Sequence, residues 1–566
     1  MKGDQFDHVH IARAEVAALS DQAQPIVSDA FHEGDPTDFE GLGEFPDSEM
    51  NKQGKERKKR SQASVLAEFV NERCDLIHDK NREPYAFERA TRETRKLESR
   101  AFSDWLRNEY FQSTKDSARD QSMREALSTL GGIARYTGEA VEINLRVAHQ
   151  ADAYLIDLGD GTPNAVIVRP GQWEVSLRHS CRFVRTEAMQ ALPVPKKGGD
   201  IASLWKYVNV PNDARLLVLA WLLECFRPDT PFPVLELTGE QGSGKSQTQK
   251  ILRRLVDPNS CDLRGAPKTH EDFFIGGGVN WMLSYENLSH LNSPSQDALC
   301  ILATGGGFAT RRLYTNAEEA VIECKRPCVI NGINPVATQQ DLIDRCISID
   351  LPVITERVES NSMSADFENE RPAILGGLMD VFSSALAKLP KIELAANEAP
   401  RLIEFMKFGM AVALALGRKP IEFQKTFDAY RQESIGRTLD ASPVATAALE
   451  WLETLIGPVE LPMKDLIQRI ETHKPSHVEA WPRSAKGFGD ALRRAAPALR
   501  QLGFEVRSMG KVGSTVRWFA QKVPNSSREC RASRAESPDR PENTTFTTFT
   551  TSKLNFTRAN PTEEVF

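Results

Sequence analysis

The feature that most constrains the fold is the stretch PVLELTGEQGSGKSQTQKILRRLV, at residues 233–256. An apolar segment leads into Gly239, and apolar side chains recur at 251, 252, 255 and 256 with helical spacing. Between these two segments, residues 239–246 fit the pattern G-x-x-x-x-G-K-[ST]. A strand before this pattern and a helix after it are the context in which it forms a phosphate-binding loop. The sequence therefore predicts a strand, a phosphate loop and a helix in this order.

Each residue type in this loop has a chemical reason. Glycines allow backbone N–H groups to turn toward phosphate oxygens, and the helix N-terminus adds positive potential. Lys245 is expected to reach the β- and γ-phosphates, and Ser246 is expected to bind Mg²⁺. We therefore predict ATP and Mg²⁺ as the bound groups. The predicted contact residues are Gly239, Glu240, Gln241, Gly242, Ser243, Gly244, Lys245, Ser246 and Gln247.

A second acid is needed to hold the metal and its water shell, and it should end a neighbouring apolar strand. The stretch NWMLSYENLS fits this requirement, with a strand over residues 281–285 and Glu286 at its tip. A surface glutamate that simply follows a core strand is the alternative.

Composition sets the outer limits. The chain has 566 residues, a net charge of −7 and nine cysteines without the spacing of a disulfide framework or a zinc site. Free thiols favour a reducing cytoplasm, and we see no apolar run long enough for a membrane span. The negative net charge argues against a wholly basic nucleic-acid coat, although local basic surfaces remain compatible with it. The length predicts several domains.

Changes of pattern along the chain divide it into six segments. Residues 62–130 show helical spacing, 138–185 show short alternating strands, and 442–522 read as three helices followed by a two-stranded hairpin. Three helices and a hairpin are the element order of a winged helix, which binds DNA in some proteins and protein partners in others. The segments are a tail at 1–60, a helical plus β-rich domain at 61–228, the phosphate-loop core at 229–356, a helical lid or connector at 357–440, a winged-helix domain at 441–522 and a tail at 523–566.

One stretch of the β-rich segment offers a competing site. The sequence YLIDLGDG places Asp157 and Asp160 near a strand end, where paired carboxylates can hold a metal. We favour a hairpin turn built on Gly-Asp-Gly, because no third acid or histidine motif follows.

Four further motifs follow the phosphate loop in order: YENLS, ILATGGGFATRRLYT, KRPCVINGIN and DLIDRCISIDLP. This set resembles the superfamily 3 helicase ATPases, and within them the primase-helicase-type ATP-binding proteins of phages and mobile elements. The resemblance covers about residues 130–520, and the motifs lie within 239–345. It implies an α/β multidomain protein with a P-loop core of the AAA+ type, flanked by the N-terminal α+β domain and the C-terminal winged helix.

The resemblance also implies roles for single residues. Glu286 takes the metal-binding position, while Asn287 stands where relatives carry a second acid or an Asn, so the base that activates water stays open. Asn331 takes the position of a sensor of the γ-phosphate or of the attacking water, with Asn334 as a nearby competitor. Arg345 takes the position of an arginine finger that acts on the adjacent subunit, and Asp344 is expected to orient it. A finger that acts in trans implies a ring, and the resemblance implies a homo-hexamer, which is the usual ring of this family.

The hairpin that carries TGGGFATRRLYT matches the family's single-stranded DNA contact in the central channel. The residues it implies are Arg311, Arg312 and Tyr314, with Lys325 extending the basic surface. A structural hairpin with solvated arginines is the alternative. The resulting hypothesis is an ATP-dependent, ring-forming helicase or translocase that acts on single-stranded or forked DNA during replication of a phage or mobile element, with priming supplied by a separate primase. The alternative hypothesis is a P-loop ATPase that remodels or senses a protein partner without unwinding DNA.

Overall fold

The computed structural model describes residues 60–311, 319–355, 360–394, 401–440, 442–475, 481–512 and 515–523. The tails expected to be unfolded lie outside these residues, apart from Arg60 and Val523 at their inner ends. The chain divides into two compact units, Met1–Thr446 and Ala447–Phe566.

The first unit begins with a small α/β segment. Its four-stranded sheet has the order β3-β2-β1-β4, and helices cover it. The elements are α1 (Gln62–Arg73), β1 (Cys74–His78), β2 (Pro84–Glu88), β3 (Thr94–Lys96), α2 (Arg100–Thr114), α3 (Asp120–Tyr136) and β4 (Glu139–Ala140). The prediction of helix throughout 62–130 was therefore wrong for 74–96. A short apolar run such as CDLI does not distinguish helix from strand by periodicity, and antiparallel pairing of β1 with β2 decides it here.

A β-rich segment follows, as its alternating pattern predicted. Four of its strands form an antiparallel meander in the order β6-β7-β8-β9. The elements are β5 (Ile143–Asn144), β6 (Val147–Gln150), β7 (Ala153–Asp157), β8 (Ala165–Arg169), β9 (Gln172–Ser176) and β10 (Arg182–Phe183). The Gly-Asp-Gly turn between β7 and β8 is confirmed, with φ of 64° at Gly159 and 86° at Gly161. Asp157 is buried, and its carboxylate forms an ion pair with Arg185 at 2.6 Å. This pairing gives Asp157 a structural role.

A parallel four-stranded sheet forms the centre of the first unit. Its order is β12-β15-β11-β16, so the strand before the phosphate loop lies inside the sheet. Every residue of β11 is buried, as expected for a parallel strand covered on both faces. The strands are β11 (Val234–Thr238), β12 (Leu283–Tyr285), β15 (Cys328–Asn331) and β16 (Cys346–Asp350). The connecting helices are α5 (Lys245–Val256), α6 (Glu271–Val279), α7 (Ser293–Thr304) and α8 (Gln340–Ile343), preceded by α4 (Arg215–Glu224). Strands β13 (Gly306–Arg311) and β14 (Glu319–Cys324) form a separate antiparallel hairpin.

Three helices complete the first unit, as predicted for 357–440. They are α9 (Ser360–Lys388), α10 (Ile403–Ala415) and α11 (Pro420–Asp440). Gly417, with φ of 74°, follows the end of α10, and a glycine in this conformation commonly ends a helix. One hydrophobic cluster runs from Val147 through the parallel sheet to Phe427, so the β-rich segment, the sheet and these helices share a core. The stretch Ser362–Lys391 is long and apolar enough to cross a membrane, but most of its apolar window is buried within the protein, as in a core helix.

The second unit combines helices with a three-stranded sheet. The elements of this part of the chain are α12 (Pro443–Glu453), β17 (Val459–Pro462), α13 (Met463–Glu471), α14 (Ala485–Gln501), β18 (Phe504–Val512) and β19 (Thr515–Lys522). The predicted three helices and hairpin are present, and β17 adds a strand beside β19 that the sequence analysis missed. The apolar face of α14 is buried, namely Phe488, Leu492, Ala495, Ala496 and Leu499.

Candidate functional site

The candidate site lies at the carboxyl edge of the parallel sheet. In β11, Leu237 pairs with Asn331 of β15, and in β12, Tyr285 pairs with Ile330. The phosphate loop follows β11, Glu286 follows β12, and Asn331 is the last residue of β15. All three therefore lie at the carboxyl edge of the sheet. Ligands of open α/β sheets bind at such edges, where the loops after parallel strands come together.

The phosphate loop has a backbone that only glycine adopts readily. Gly239, Gly242 and Gly244 have φ of 135°, 92° and 73°. A Cβ at Gly239 would lie 2.6 Å from the carbonyl oxygen of Leu351, and one at Gly244 would lie 2.7 Å from Cδ1 of Ile354. The loop thus turns tightly above β11 and enters α5 at Lys245, as the motif predicted. This backbone cradle, open at a helix N-terminus, fits a phosphate group.

Lys245 lies over the loop that precedes it. Its Nζ donates to the carbonyl oxygens of Gly239 and Glu240, both at 2.8 Å, and lies 3.4 Å from Oγ of Ser243. Partial burial lowers the pKa of Lys245, and the nearby Asp350 opposes that shift. The ammonium group is therefore held at the mouth of the loop. Ser246 follows it in the first turn of α5.

Asn209 supports the loop from behind, and sequence analysis missed it. Its Nδ2 donates to the carbonyl oxygens of Ser243 at 2.9 Å and Pro352 at 2.6 Å. Its backbone N–H donates to Oγ1 of Thr248 on α5 at 3.1 Å. The residue precedes the loop by about thirty positions in YVNVPN, where nothing in the local pattern connects it to the loop.

Glu286 follows β12, as predicted, although the strand is shorter than the predicted 281–285. The Glu286 side chain is half-buried, and its backbone N–H donates to the carbonyl oxygen of Arg264 at 2.8 Å. Asn287 is exposed and has φ of 54°, a left-handed conformation that Asn tolerates better than most residues. The chain therefore turns sharply just after the carboxylate.

Asn331 is the last residue of β15, as predicted, and its side chain is fully buried. Its Oδ1 accepts the backbone N–H of Asn287 at 2.9 Å, and its Nδ2 donates to Oε1 of Gln249 at 2.7 Å. Gln249 is a second residue that sequence analysis missed. It lies on the same face of α5 as Leu252 and Val256, and a polar side chain on an apolar helix face is the signal that could have identified it.

Arg345 lies at the opposite edge of the sheet. It directly precedes β16, whose Cys346 pairs with Val234 at the start of β11. The length of β11, five residues at ~3.3 Å each, therefore separates Arg345 from the phosphate loop of its own chain by about 15 Å. The expected partner was wrong. Arg345 Nη1 pairs with Asp341 at 2.7 Å, one turn earlier, while Asp344 pairs with Arg431 at 3.4 Å.

The hairpin predicted to contact DNA is present at its base. Strands β13 and β14 pair from Gly306 with Cys324 to Arg311 with Glu319. Arg312 and Tyr314 lie outside the described residues, and the side chain of Arg311 is likewise not described. Lys325 follows β14, and its Nζ lies 5.9 Å from the ring centre of Phe232. Lys325 is half-buried at the hairpin base, and this burial lowers its pKa.

The thiols follow the sequence-based expectation. Cys324 and Cys328 are buried and unpaired, as are most of the other cysteines that the structure describes. Among the described residues, no group of three or more His, Cys, Asp and Glu side chains is arranged to hold a metal ion.

Two family matches bear on the identity of the chain. Residues 201–417 match the family described as the actinomycete integrative conjugative element replication protein. Residues 444–531 match the C-terminal domain of the same replication protein, RepA. The two matches together span more than half of the sequence. Over these two regions the chain is similar to the replication proteins of this family. The first match contains the whole parallel sheet and the phosphate loop, and the second contains nearly all the described part of the second unit.

Two solved structures align with parts of this chain at low similarity. The apo C-terminal region of NrS-1 aligns over 82% of this chain and 100% of its own, with 10% identity and a TM-score of 0.37. The JCV helicase aligns over 38% of this chain and 64% of its own, with 15% identity and a TM-score of 0.20. These scores are too low to support an argument about activity. A search of curated proteins found no match.

Proposed function

We infer that this replication protein is an ATP-driven, ring-forming DNA helicase or translocase that acts in replication of its mobile element. One observation carries this proposal: the phosphate loop and Arg345 occupy opposite edges of the same parallel sheet. A protomer therefore holds both halves of a hydrolysis site but cannot bring them together by itself. A neighbour that presents its Arg345 to the loop completes the site.

The phosphate loop binds ATP in this proposal. The three left-handed glycines direct backbone amides toward the phosphates, and Lys245 exchanges its contacts with the loop carbonyls for phosphate oxygens. The sheet order β12-β15-β11-β16, with the loop after an inner strand, supports a P-loop core of the AAA+ type. The residues that line this part are Gly239, Glu240, Gln241, Gly242, Ser243, Gly244, Ser246 and Gln247.

In this proposal, Ser246 and Glu286 would hold Mg²⁺. Ser246 lies in the loop and helix after β11, Glu286 lies directly after β12 at the same edge of the sheet, and both offer oxygen ligands. When bound between these two residues, Mg²⁺ would supply positive charge to offset the negative charge of the phosphates. Asn287, whose amide cannot accept a proton, orients water rather than deprotonating it.

Arg345 acts on the nucleotide of the adjacent protomer. Its guanidinium is held by Asp341 on the same protomer, so the finger is oriented before assembly. Arginine fingers in other phosphate-loop enzymes contribute ~10³–10⁵ in rate, which makes a ring the functional form. A homo-hexamer is the ring we propose.

The hairpin and the second unit contact DNA. Arg311, Arg312 and Tyr314 lie at or beyond the end of β13, and Lys325 lies at the hairpin base. Single-stranded DNA suits such a set, because cations contact phosphates and an aromatic ring stacks on bases. In the second unit, three helices and a three-stranded sheet support a winged helix, with Arg507 and Lys511 exposed on β18. Priming comes from a separate chain.

The experiment that tests the proposal measures ATP hydrolysis by purified protein with and without single-stranded DNA. We expect DNA to stimulate hydrolysis in the wild type, and we expect the double variant Arg311→Ala/Arg312→Ala to keep basal hydrolysis but lose the stimulation. Stimulation should fall with rising salt, because phosphate contacts release counterions. Hydrolysis that ignores DNA in both proteins contradicts a helicase and favours an ATPase that remodels a protein partner.

A further inference from the structure

The side chain of Asn331 is enclosed within the protein rather than exposed at the nucleotide site. It is fully buried, and both ends of its amide are bonded to the protein, to the Asn287 N–H and to the Gln249 Oε1. The amide keeps a second N–H and a second lone pair, but a γ-phosphate or a water molecule could reach them only if the packing around Asn331 opened and its present partners were exchanged. A buried polar group left without its partner costs ~1–3 kcal/mol, so that exchange is unfavourable.

The neighbours of Gln249 determine which way the Asn331 amide points. Gln249 Nε2 donates to Oγ of Ser284 at 2.8 Å and to the carbonyl oxygen of Tyr285 at 3.0 Å. Because a carbonyl oxygen accepts but does not donate, the Gln249 amide cannot be reversed without losing that bond. The Gln249 Oε1 therefore points toward Asn331 and accepts from its Nδ2. With Nδ2 on that side, the Asn331 Oδ1 points toward Asn287 and accepts its backbone N–H.

The backbone around Glu286 is fixed on both sides. Before the carboxylate, the Glu286 N–H bonds to Arg264 at 2.8 Å. After it, Asn331 accepts two consecutive amides, Asn287 N–H at its side chain and Leu288 N–H at its carbonyl oxygen, each at 2.9 Å. The left-handed residue Asn287 lies between these anchors. Its N–H points inward to Asn331 while its own side chain remains exposed.

We propose that Asn331 is a positioning residue that, held by Gln249, locks the left-handed turn at Asn287 and thereby aims the Glu286 carboxylate at the metal. The relay connects α5, which begins at Lys245, to the end of β12, so the phosphate loop and the metal ligand are set relative to each other through buried amides. This role replaces direct sensing by Asn331. The inference rests on the proposed function, since it assigns Mg²⁺ to Glu286.

The test uses substitutions at the exposed residue Asn287, which do not disturb the core. Asn287→Gly keeps the N–H and permits a positive φ, whereas Asn287→Val disfavours it because of its branched Cβ. We expect the Mg²⁺ concentration that half-saturates MgATP binding to rise about tenfold in Asn287→Val and to change less than about threefold in Asn287→Gly. If both variants lose Mg²⁺ equally, the exposed Asn287 side chain carries the role and the proposal is overturned.

Asn331→Ala provides the second arm. We expect about a tenfold loss of Mg²⁺ affinity, with nucleotide binding in EDTA and the ratio of ATP to ADP affinity close to wild type. Hydrogen exchange at the Asn287 amide should speed up without any nucleotide. A direct sensor predicts the reverse: a lost preference for ATP over ADP, with Mg²⁺ dependence and Asn287 exchange unchanged. Asn334→Ala, which alters an exposed amide in the next loop, serves as the contrast and should leave Asn287 exchange unchanged.

These readouts separate the inference from the proposed function. A wild type that binds MgATP but hydrolyses none contradicts the proposed ATPase, while the Mg²⁺ and exchange measurements still decide the role of Asn331. A wild type that hydrolyses ATP, with unchanged Asn287 exchange in Asn331→Ala, overturns the inference alone.

Discussion

The two edges of the parallel sheet are held together by different chemistry. At the carboxyl edge, Gln249, Asn331 and the Asn287 backbone form a buried chain of neutral hydrogen bonds. At the amino edge, Asp341 binds both Arg345 and Arg401 at 2.7 Å, and Asp341 and Arg401 are about half exposed.

In the ring that we propose, this difference indicates how the work is divided between protomers. Buried amide networks in a low-dielectric interior fix one arrangement, because breaking any member leaves an unsatisfied group. Exposed ion pairs contribute little and can exchange partners. The carboxyl edge is therefore complete within one protomer, whereas the amino edge presents charged groups that can rearrange on a neighbour.

The largest effect on ATP hydrolysis is expected from removing Lys245, the cation that we propose to bind phosphate at the carboxyl edge. Lys245→Ala should reduce ATP hydrolysis at least about a hundredfold, because Lys245 bonds to the loop carbonyls and is the cation that we propose to offset phosphate charge. Steady-state hydrolysis measures this loss. Lys250→Ala, five residues along the same helix, is the matched control and should stay near wild type. Equal losses in both variants would contradict the assignment of the loop.

At the amino edge, Arg345→Ala should reduce hydrolysis to a similar extent. We expect hydrolysis to fall about a hundredfold or more, since fingers act on charge that develops during transfer. ATP binding, measured separately by titration, should change little. Arg401→Ala removes another cation bound to the same Asp341 and should cost much less. If Arg401→Ala is as severe as Arg345→Ala, the cluster acts structurally and Arg345 is not a finger.

A smaller effect is expected from loosening the finger without removing it. Asp341→Asn deletes the charge that holds Arg345, so hydrolysis should fall about three- to tenfold through misplacement of the guanidinium. The exposed Asp297→Asn on α7 is the control for general loss of negative charge. An unchanged rate in Asp341→Asn would show that Asp341 does not position Arg345.

The smallest effect concerns salt. Double-mutant cycles should give a coupling between Gln249 and Asn331 that is the same at about 0.05 and 0.5 M NaCl, because buried pairs are poorly screened. The coupling between Asp341 and Arg401 should shrink toward zero at the higher salt. Melting temperatures of the variants provide both couplings. If the two coupling energies depend equally on salt, the two edges are not stabilised by different chemistry.

The sequence predicted the elements of the carboxyl edge better than their contacts. Loop, helix and strand ends were identified correctly at Lys245, Glu286 and Asn331, because glycines and apolar runs specify them locally. The partners Asn209 and Gln249 were missed, since their roles arise from packing between segments distant in sequence. Asp344 was expected to orient Arg345 because the two are adjacent in sequence, but the helical turn brings residue i−4, Asp341, to the guanidinium. Residues 74–96 were predicted as helix from the spacing of their apolar residues, but they form strands because β1 pairs with β2.

The central claim is that two protomers share one hydrolysis site, and mixing inactive variants tests it most directly. Lys245→Ala and Arg345→Ala proteins, each inactive alone, are combined under conditions in which wild-type subunits exchange. The account predicts that hydrolysis returns in the mixture, because an Arg345→Ala protomer keeps its own Lys245 and receives Arg345 from its Lys245→Ala neighbour. A mixture as inactive as its components, with exchange demonstrated, would contradict the shared site.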